Sequence, residues 1–284
     1  MAASVKTGPR IGADVGGTFT DIVLERPGAD PVSLKVLTTH DAPEQAVIEG
    51  IAEITAENGV ALAELSQVIH GTTLATNALI QRSGARTCLV TTEGFRDVIE
   101  TRTESRFEQY DLAIELPKPL ISRADRHVVR ERLNARGEEL IAFDEPGARE
   151  LIQRIGETGY ESVAVGFMHS YRNPVNEQRF RDLLLAELPQ VACSISAEVS
   201  PQMREYERFN TVCANAYIQP LMAGYLTAMR DRLAELGVRC PVHMIHSGGG
   251  LIGLETAAAF PVRLVESGPA GGAASNSRLS SKTP

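Results

Sequence analysis

Apolar runs punctuated by turn and polar residues mark the elements along the chain, and the first two runs look buried. Arg10 to Asp14 and Thr18 to Glu25 read as two β-rich runs joined at Val15-Gly16-Gly17, a short hairpin with glycines at its turn. A third apolar run, Val32 to Leu37, leads to Asp41-Ala42-Pro43-Glu44, where a capping Asp and an early Pro open a helix that Asn58-Gly59 stops. Beyond Ser66 strand and helix take turns: Val68-Ile69-His70, then Thr72 to Arg82, then Thr87 to Thr91. This rhythm predicts an α/β fold. It fails between Glu100 and Asp144, where charge mixes with Pro117, Pro119 and short β-like pieces at His127 to Arg132 and Glu139 to Ala142, so an inserted α+β segment is expected over about 100–144.

The rhythm resumes with a helix from Glu145 to Thr158, a strand from Ser162 to Phe167, a helix from Pro174 to Glu187 and a strand from Val191 to Ser196. A long helical stretch, Met203 to Leu236, is expected to break near Pro220 and to stop at Gly237. Val242 to Ile245 reads as a strand, Ser247-Gly248-Gly249-Gly250 as a turn, Leu254 to Phe260 as a short helix and Val262 to Val265 as a strand. Glu266-Ser267-Gly268-Pro269-Ala270-Gly271-Gly272 should open another helix, interrupted by a polar, unpatterned end.

Composition narrows the function classes. The chain has 284 residues, 43% hydrophobic and 23% charged, which suits one large or two modest globular domains. Lys+Arg number 28 against Asp+Glu 36, a formal charge of −8 that opposes a nucleic-acid partner, because displacing counterions from phosphates needs a basic excess. No apolar stretch is long enough to span a membrane, and the start lacks the apolar core of a secretory signal, so a cytoplasmic protein is expected. Cys88, Cys193, Cys213 and Cys240 lie far apart and read as reduced, buried thiols.

The strongest chemical signal is Asp14-Val15-Gly16-Gly17-Thr18-Phe19-Thr20-Asp21. Gly16 and Gly17 let backbone N–H groups approach an anion, Thr18 and Thr20 add hydroxyl donors, and Asp14 and Asp21 are placed to hold a magnesium ion. A D-x-G-G hairpin turn is the bland alternative. His70-Gly71-Thr72-Thr73 sits where a strand gives way to a helix, where free N–H groups favour an anion or a developing oxyanion; Thr72 or Thr73 capping the helix over a structural His70 explains it equally well. His169 closes another strand and reads first as packing, as do His243 and His246, which point to opposite faces of a strand. Glu100, Arg102, Glu104, Arg106 and Glu108 would share one face of an extended run, either solvated or holding an anionic substrate. Gly248, Gly250 and Gly253 match G-x-G-x-x-G with Glu266 downstream, a rival dinucleotide reading weakened by the short helix before Pro261.

Taken together, D-V-G-G-T-F-T-D, H-G-T-T-L-A-T-N-A-L, T-T-E-G-F-R-D, K-P-L-I-S-R, G-F-M-H-S-Y-R-N-P, R-E-Y-E-R, N-A-Y and E-S-G-P-A-G-G resemble the hydantoinase A family, which includes N-methylhydantoinase, 5-oxoprolinase and the acetone carboxylase β subunit. The resemblance runs from about Ile11 to Ala274. It implies the first lobe of an actin-like (ribonuclease H-like) ATPase with its second lobe absent: an N-terminal domain over 1–200 and the start of a catalytic domain over 201–284. It implies ATP and Mg²⁺ as cofactors, with Gly16, Gly17, Thr18 and Thr20 on the nucleotide and Asp14 and Asp21 on the metal. It makes His70, Thr72 and Thr73 candidates for substrate polarisation and adds Glu205 as a catalytic candidate, with Tyr206 and Asn215 in the same blocks and without an assigned role. The implied activity is phosphorylation of an amide or carbonyl oxygen before opening of a cyclic amide, or carboxylation of a ketone, in company with a complementary C-terminal lobe or second subunit. A non-catalytic scaffold lobe is the alternative from another class, and a nicotinamide-dependent oxidoreductase ranks last.

Overall fold

The computed structural model describes residues 8–39, 42–103, 108 and 110–266. In chain order its first elements are β1 (Arg10–Val15), β2 (Phe19–Glu25), β3 (Val32–Leu37), α1 (Pro43–Glu57), β4 (Gln67–Thr72) and α2 (Leu74–Gln81). The middle holds β5 (Thr87–Thr92), α3 (Val98–Thr101), β6 (Arg126–Val129), β7 (Arg132–Leu133), β8 (Glu139–Ile141), α4 (Glu145–Thr158), β9 (Ser162–Gly166), α5 (Val175–Glu187), β10 (Ala192–Ile195) and α6 (Ser196–Val199). The last are α7 (Glu205–Glu235), β11 (Val242–Ile245), β12 (Leu251–Gly253) and α8 (Leu254–Ala259). The chain forms two compact units: unit 1 comprises residues 1–81 and 221–284, and unit 2 comprises residues 82–220.

Unit 1 is built on a six-stranded sheet in the order β12-β11-β4-β1-β2-β3. β2 runs antiparallel to β1 and β3, while β4 runs parallel to β1 and to β11. Period-two alternation decides its faces: Ile11, Ala13 and Val15 of β1 and Thr20, Ile22 and Leu24 of β2 are buried, with Asp14, Phe19 and Asp21 on the other side. The buried side takes α1 through Ala46, Val47, Ile51 and Ile54. Gly50 makes that contact close, since a Cβ there would lie 2.8 Å from Ile22 Cγ1. The expected capping Asp41 lies outside the described residues; Ala42 occupies the N-cap without a side-chain bond, and Pro43 begins the helix.

Unit 2 carries a four-stranded, all-parallel sheet in the order β10-β9-β5-β6. β5 and β9 are buried at every position, as strands covered on both faces must be. Phe167, Phe180, Leu151, Ile155 and Leu184 fill the space between this sheet and α4 and α5. The segment expected as an insertion contributes β6 to the edge of the sheet, and its remaining β-like pieces pair as the β7-β8 hairpin. The four cysteines are free, and burial pushes the Cys193 and Cys213 thiols up to about 12, which leaves them inert.

Three expectations fail for identifiable reasons. α7 does not break at Pro220, which lies inside the helix. Proline there removes one hydrogen bond, but buried side chains on both sides, Val212, Ala216 and Ile218 before it and Met222, Leu226 and Met229 after it, hold the axis. Val262 to Val265 is no strand: Pro261–Leu264 forms a 3₁₀ turn, closed by the Arg263 N–H on the Phe260 carbonyl at 3.0 Å. Glu100 falls in the short helix α3 rather than in an extended run, while Glu104 and Arg106 lie outside the described residues, as does the glycine-rich block after Glu266. Among the described residues no helix is long and apolar enough to cross a membrane.

Candidate functional site

The β1-β2 hairpin positions the first group of candidates. Gly16 N–H donates to the Phe19 carbonyl at 3.0 Å, closing the turn. Thr38, just past β3, staples it from the side: its N–H reaches the Thr18 carbonyl at 3.0 Å and its hydroxyl the Gly16 carbonyl at 3.1 Å. Gly17 has nothing within 4 Å of where a Cβ would sit, and neither its N–H nor that of Thr18 has an acceptor among the described residues. Two unused, exposed donors on a pinned turn are what an anion needs.

Asp14 and Asp21 face each other in register across β1 and β2 on the exposed side of the sheet. The row continues to Lys35 of β3, whose Nζ lies 2.5 Å from Asp21 Oδ1, and on the other side to Gly71 of β4. A Cβ on Gly71 would sit 2.9 Å from Asp14 Oδ1, so this glycine clears the space the carboxylate occupies. Partial burial, and then the charge of Asp21, raise the Asp14 pKa above the usual carboxylate range. Two carboxylates with a single lysine, paired to Asp21, leave uncompensated negative charge, which a divalent cation relieves; one or two carboxylates beside phosphate oxygens is the donor set magnesium prefers. Thr20 does not join this group: it is fully buried on the opposite face, with its hydroxyl 3.0 Å from that of Thr38. Alternation along β2 requires that, since Asp21 and Thr20 are neighbours.

The second block divides in the same way. His70 is fully buried, its Nδ1 3.2 Å from the Ala13 carbonyl and its Nε2 2.6 Å from the Tyr225 hydroxyl of α7. A carbonyl only accepts, so Nδ1 carries the proton and Nε2 of the neutral ring accepts from tyrosine. Burial lowers the His70 pKa to about 4, against the opposing effect of the Ala13 carbonyl. Thr72, also buried, accepts from the Leu74 N–H at 3.2 Å and hydrogen-bonds Tyr225. Both residues are thus buried and hydrogen-bonded within the fold, tying β1 and β4 to Tyr225. Thr73 stands nearer the turn: its N–H and hydroxyl both reach the Val15 carbonyl, at 3.2 and 3.4 Å.

Glu205 belongs to unit 2. It accepts from the His169 N–H at 3.4 Å and pairs with Arg208, also at 3.4 Å. Arg208 is fully buried and ends on Ser196 Oγ and on the Gln202 and Phe167 carbonyls. Asn215 is buried and donates to Ser194 Oγ at 3.0 Å, a packing role. His243 Nδ1 lies 3.2 Å from Gln67 Nε2 and His246 Nδ1 accepts from the Gly248 N–H, and among the described residues no three metal-ligating side chains cluster. The G-x-G-x-x-G match dissolves: Gly248 to Gly250 turn the antiparallel β11-β12 hairpin, where a dinucleotide fingerprint needs a strand leading into a helix. No motif in the sequence singles out Lys35, Thr38 or Tyr225. Only Lys35 had a signal, a charge at the alternate position of an edge strand.

Comparison with known proteins identifies related sequences and structures. The sequence profile of the hydantoinase/oxoprolinase N-terminal region matches residues 10–188, and that of hydantoinase/oxoprolinase matches residues 208–283. The chain is 33% identical over 267 residues to the caprolactamase subunit alpha of Pseudomonas jessenii, covering 92% of this chain and 38% of that protein. Against 5-oxoprolinase 1 of Arabidopsis thaliana identity is 29% over 287 residues, covering 91% and 22%. The crystal structure of the ATP-dependent caprolactamase superimposes with a TM-score of 0.83 at 33% identity, over 92% of this chain and 39% of that one. A nucleotide-free structure of acetone carboxylase superimposes with a TM-score of 0.85 at 26% identity, over 95% and 40%. The chain thus spans less than half the length of these relatives.

Proposed function

This chain belongs to the hydantoinase/oxoprolinase family, and from that premise we propose that it is the N-terminal part of an ATP-dependent enzyme that activates an amide or carbonyl oxygen by phosphorylation before opening a cyclic amide. The observation that carries the reading is the Asp14–Asp21 register pair beside the pinned Gly16-Gly17-Thr18 turn. Within the reading, unit 1 is the first lobe of an actin-like, ribonuclease H-like ATPase: strands β3-β2-β1-β4-β11 with only β2 reversed fit that order. Residues 1–200 and 201–284 are its N-terminal domain and the beginning of its catalytic domain.

The residues fit nucleotide phosphates with magnesium. Gly17 and Thr18 N–H groups would take phosphate oxygens, Asp14 and Asp21 would hold the ion, and Lys35 would hold Asp21 oriented. Magnesium-ATP, when bound, supplies the phosphoryl group and neutralises charge on it. Thr73, tied to the Val15 carbonyl, is the member of the second block placed to meet that region; His70 and Thr72 act by fixing the strand ends. Glu205 is assigned to unit 2 and not to phosphoryl transfer. A complementary C-terminal lobe or second subunit supplies the base pocket and the remaining contacts.

A second reading, a component of an ATP-dependent ketone carboxylase, has support in the likeness to the acetone carboxylase structure. Calorimetry with magnesium-ATP, on the chain alone and with a C-terminal lobe added, tests the nucleotide site. Binding that requires magnesium and disappears in Asp14→Ala is expected with the second lobe present; unchanged binding in that variant would sink the assignment. Turnover of lactam, 5-oxoproline and small ketone substrates by the reconstituted enzyme then separates the two readings.

A further inference from the structure

Unit 2 carries an arrangement that phosphoryl transfer leaves unused. The chain steps from β5 outward to β6 and then returns to β9 on the other flank of β5. In open parallel sheets the crevice beyond the carboxyl ends of two such strands is where ligands bind, because the loops leaving them diverge to opposite faces. Thr92 ends β5, and Phe167-Met168-His169 follows β9 at once.

Two buried polar atoms at this end of the sheet lack a hydrogen-bond partner among the described residues: Arg132 Nη1, in the segment after β6, and His169 Nδ1, in the segment after β9. Arg132 is held by stacking, its guanidinium 4.3 Å from the centroid of the Phe95 ring. His169 adopts φ +60°, a left-handed conformation that side chains other than glycine rarely take and that concentrates at functional sites. Its Nδ1 lies 3.9 Å from Glu205 Oε1, and its own N–H fixes the same oxygen. Arg208 spends its donors on Ser196, Gln202, Phe167 and Glu205. A buried guanidinium N–H and a buried imidazole nitrogen on a strained backbone, neither with a hydrogen bond, are exceptions that folded proteins rarely tolerate without a ligand.

We propose that this edge of unit 2 binds a small carboxylate, taken by the Arg132 guanidinium and the His169 imidazole, with Glu205 orienting the imidazole. Charge selects a monoanion. Glu131 and Glu177 already stand at this end of the sheet, saturated by Thr92 and Asn176 and by Phe167, Ser196 and Ala197, so a phosphate dianion would meet repulsion that one unpaired arginine does not offset.

The test is nitrogen NMR of the whole chain with ¹⁵N-histidine, titrated with acetate and separately with inorganic phosphate, without nucleotide or magnesium, so that its outcome is independent of the nucleotide site. Acetate should move the His169 Nδ1 resonance saturably. Arg132→Gln should weaken that response about tenfold or more, as loss of a charge-assisted hydrogen bond does, Arg132→Lys should recover part of it, and Arg136→Gln, at an exposed neighbour, should leave it unchanged. A melting curve identifies a misfolded variant, in which case Arg132→Lys carries the comparison. Absence of a saturable response, or one indifferent to both Arg132 variants, overturns the site; phosphate binding more tightly than acetate overturns the carboxylate assignment.

Discussion

Each unit of this molecule contains a pair of neighbouring carboxylates, and the two pairs are treated in opposite ways. Glu131 and Glu177 in unit 2 are almost wholly removed from water; burial raises both pKa values, and every oxygen is met by a protein donor, among them the Phe167 and Ala197 N–H groups at 2.8 and 2.9 Å. Asp14 and Asp21 in unit 1 stand in register on an exposed face, with Lys35 on one of them. A buried carboxylate that is saturated is part of the fold, because its removal orphans several donors. An exposed, under-compensated pair has no structural duty and is free to meet a ligand.

The comparison can be broken by measurement. Glu177→Leu should cost about 3–5 kcal/mol in urea unfolding, since it strands two backbone N–H groups and Ser196 in a dry environment. A loss below that of any surface substitution would end the structural reading of unit 2. Next in size is the acid response of unit 1. His70 is neutral when folded, with a pKa of about 4 against an ordinary value of 6.5, so the unfolded chain takes up the proton first. Stability is therefore full above about pH 6.5, declines as pH falls from there towards 4, and levels off below, for a total of about 3 kcal/mol. Urea titrations across that window should lose this slope in His70→Phe.

Smaller effects sharpen the contrast. Thr38→Val removes the hydroxyl that holds Gly16 and meets Thr20, and should cost about 1 kcal/mol in unfolding. In a two-lobe enzyme the same change should weaken magnesium-ATP in calorimetry, because the turn is no longer pinned. Asp14→Asn should do the reverse to stability: removing a partly buried charge, and with it the repulsion from Asp21, raises the melting temperature slightly at neutral pH while nucleotide binding is lost. A fall in melting temperature would give Asp14 a structural duty and erase the difference between the two pairs.

Much of this was legible in the chain itself. The strand runs and the glycine turn announce the hairpin, and the apolar run Ser162 to Phe167 announces a strand, but both hairpin runs read as buried whereas the structure exposes the face that carries Asp14 and Asp21. Asp14 and Asp21 were readable because residues flanking a tight hairpin must pair, so their approach is a local consequence of sequence. His70 was readable as a histidine at a strand end, but not as a buried one. Its burial depends on Tyr225, a partner 155 residues away. The same holds for Glu205, a catalytic candidate from the sequence, whose contacts with His169 and Arg208 depend on the fold.

By itself, then, the sequence determined most of the kinds of element, the position of the glycine turn and the family, because periodicity, glycine placement and motif order are local properties that survive without knowledge of neighbours. Tertiary structure alone decided which face each candidate takes. A strand reverses its side chains at every step, so Thr20 turns inward while Asp21 turns out. Packing against a distant helix then removes His70 and Thr72 from solvent and leaves Arg132 and His169 with donors or acceptors unmet, a distinction that water access draws and that residue type cannot.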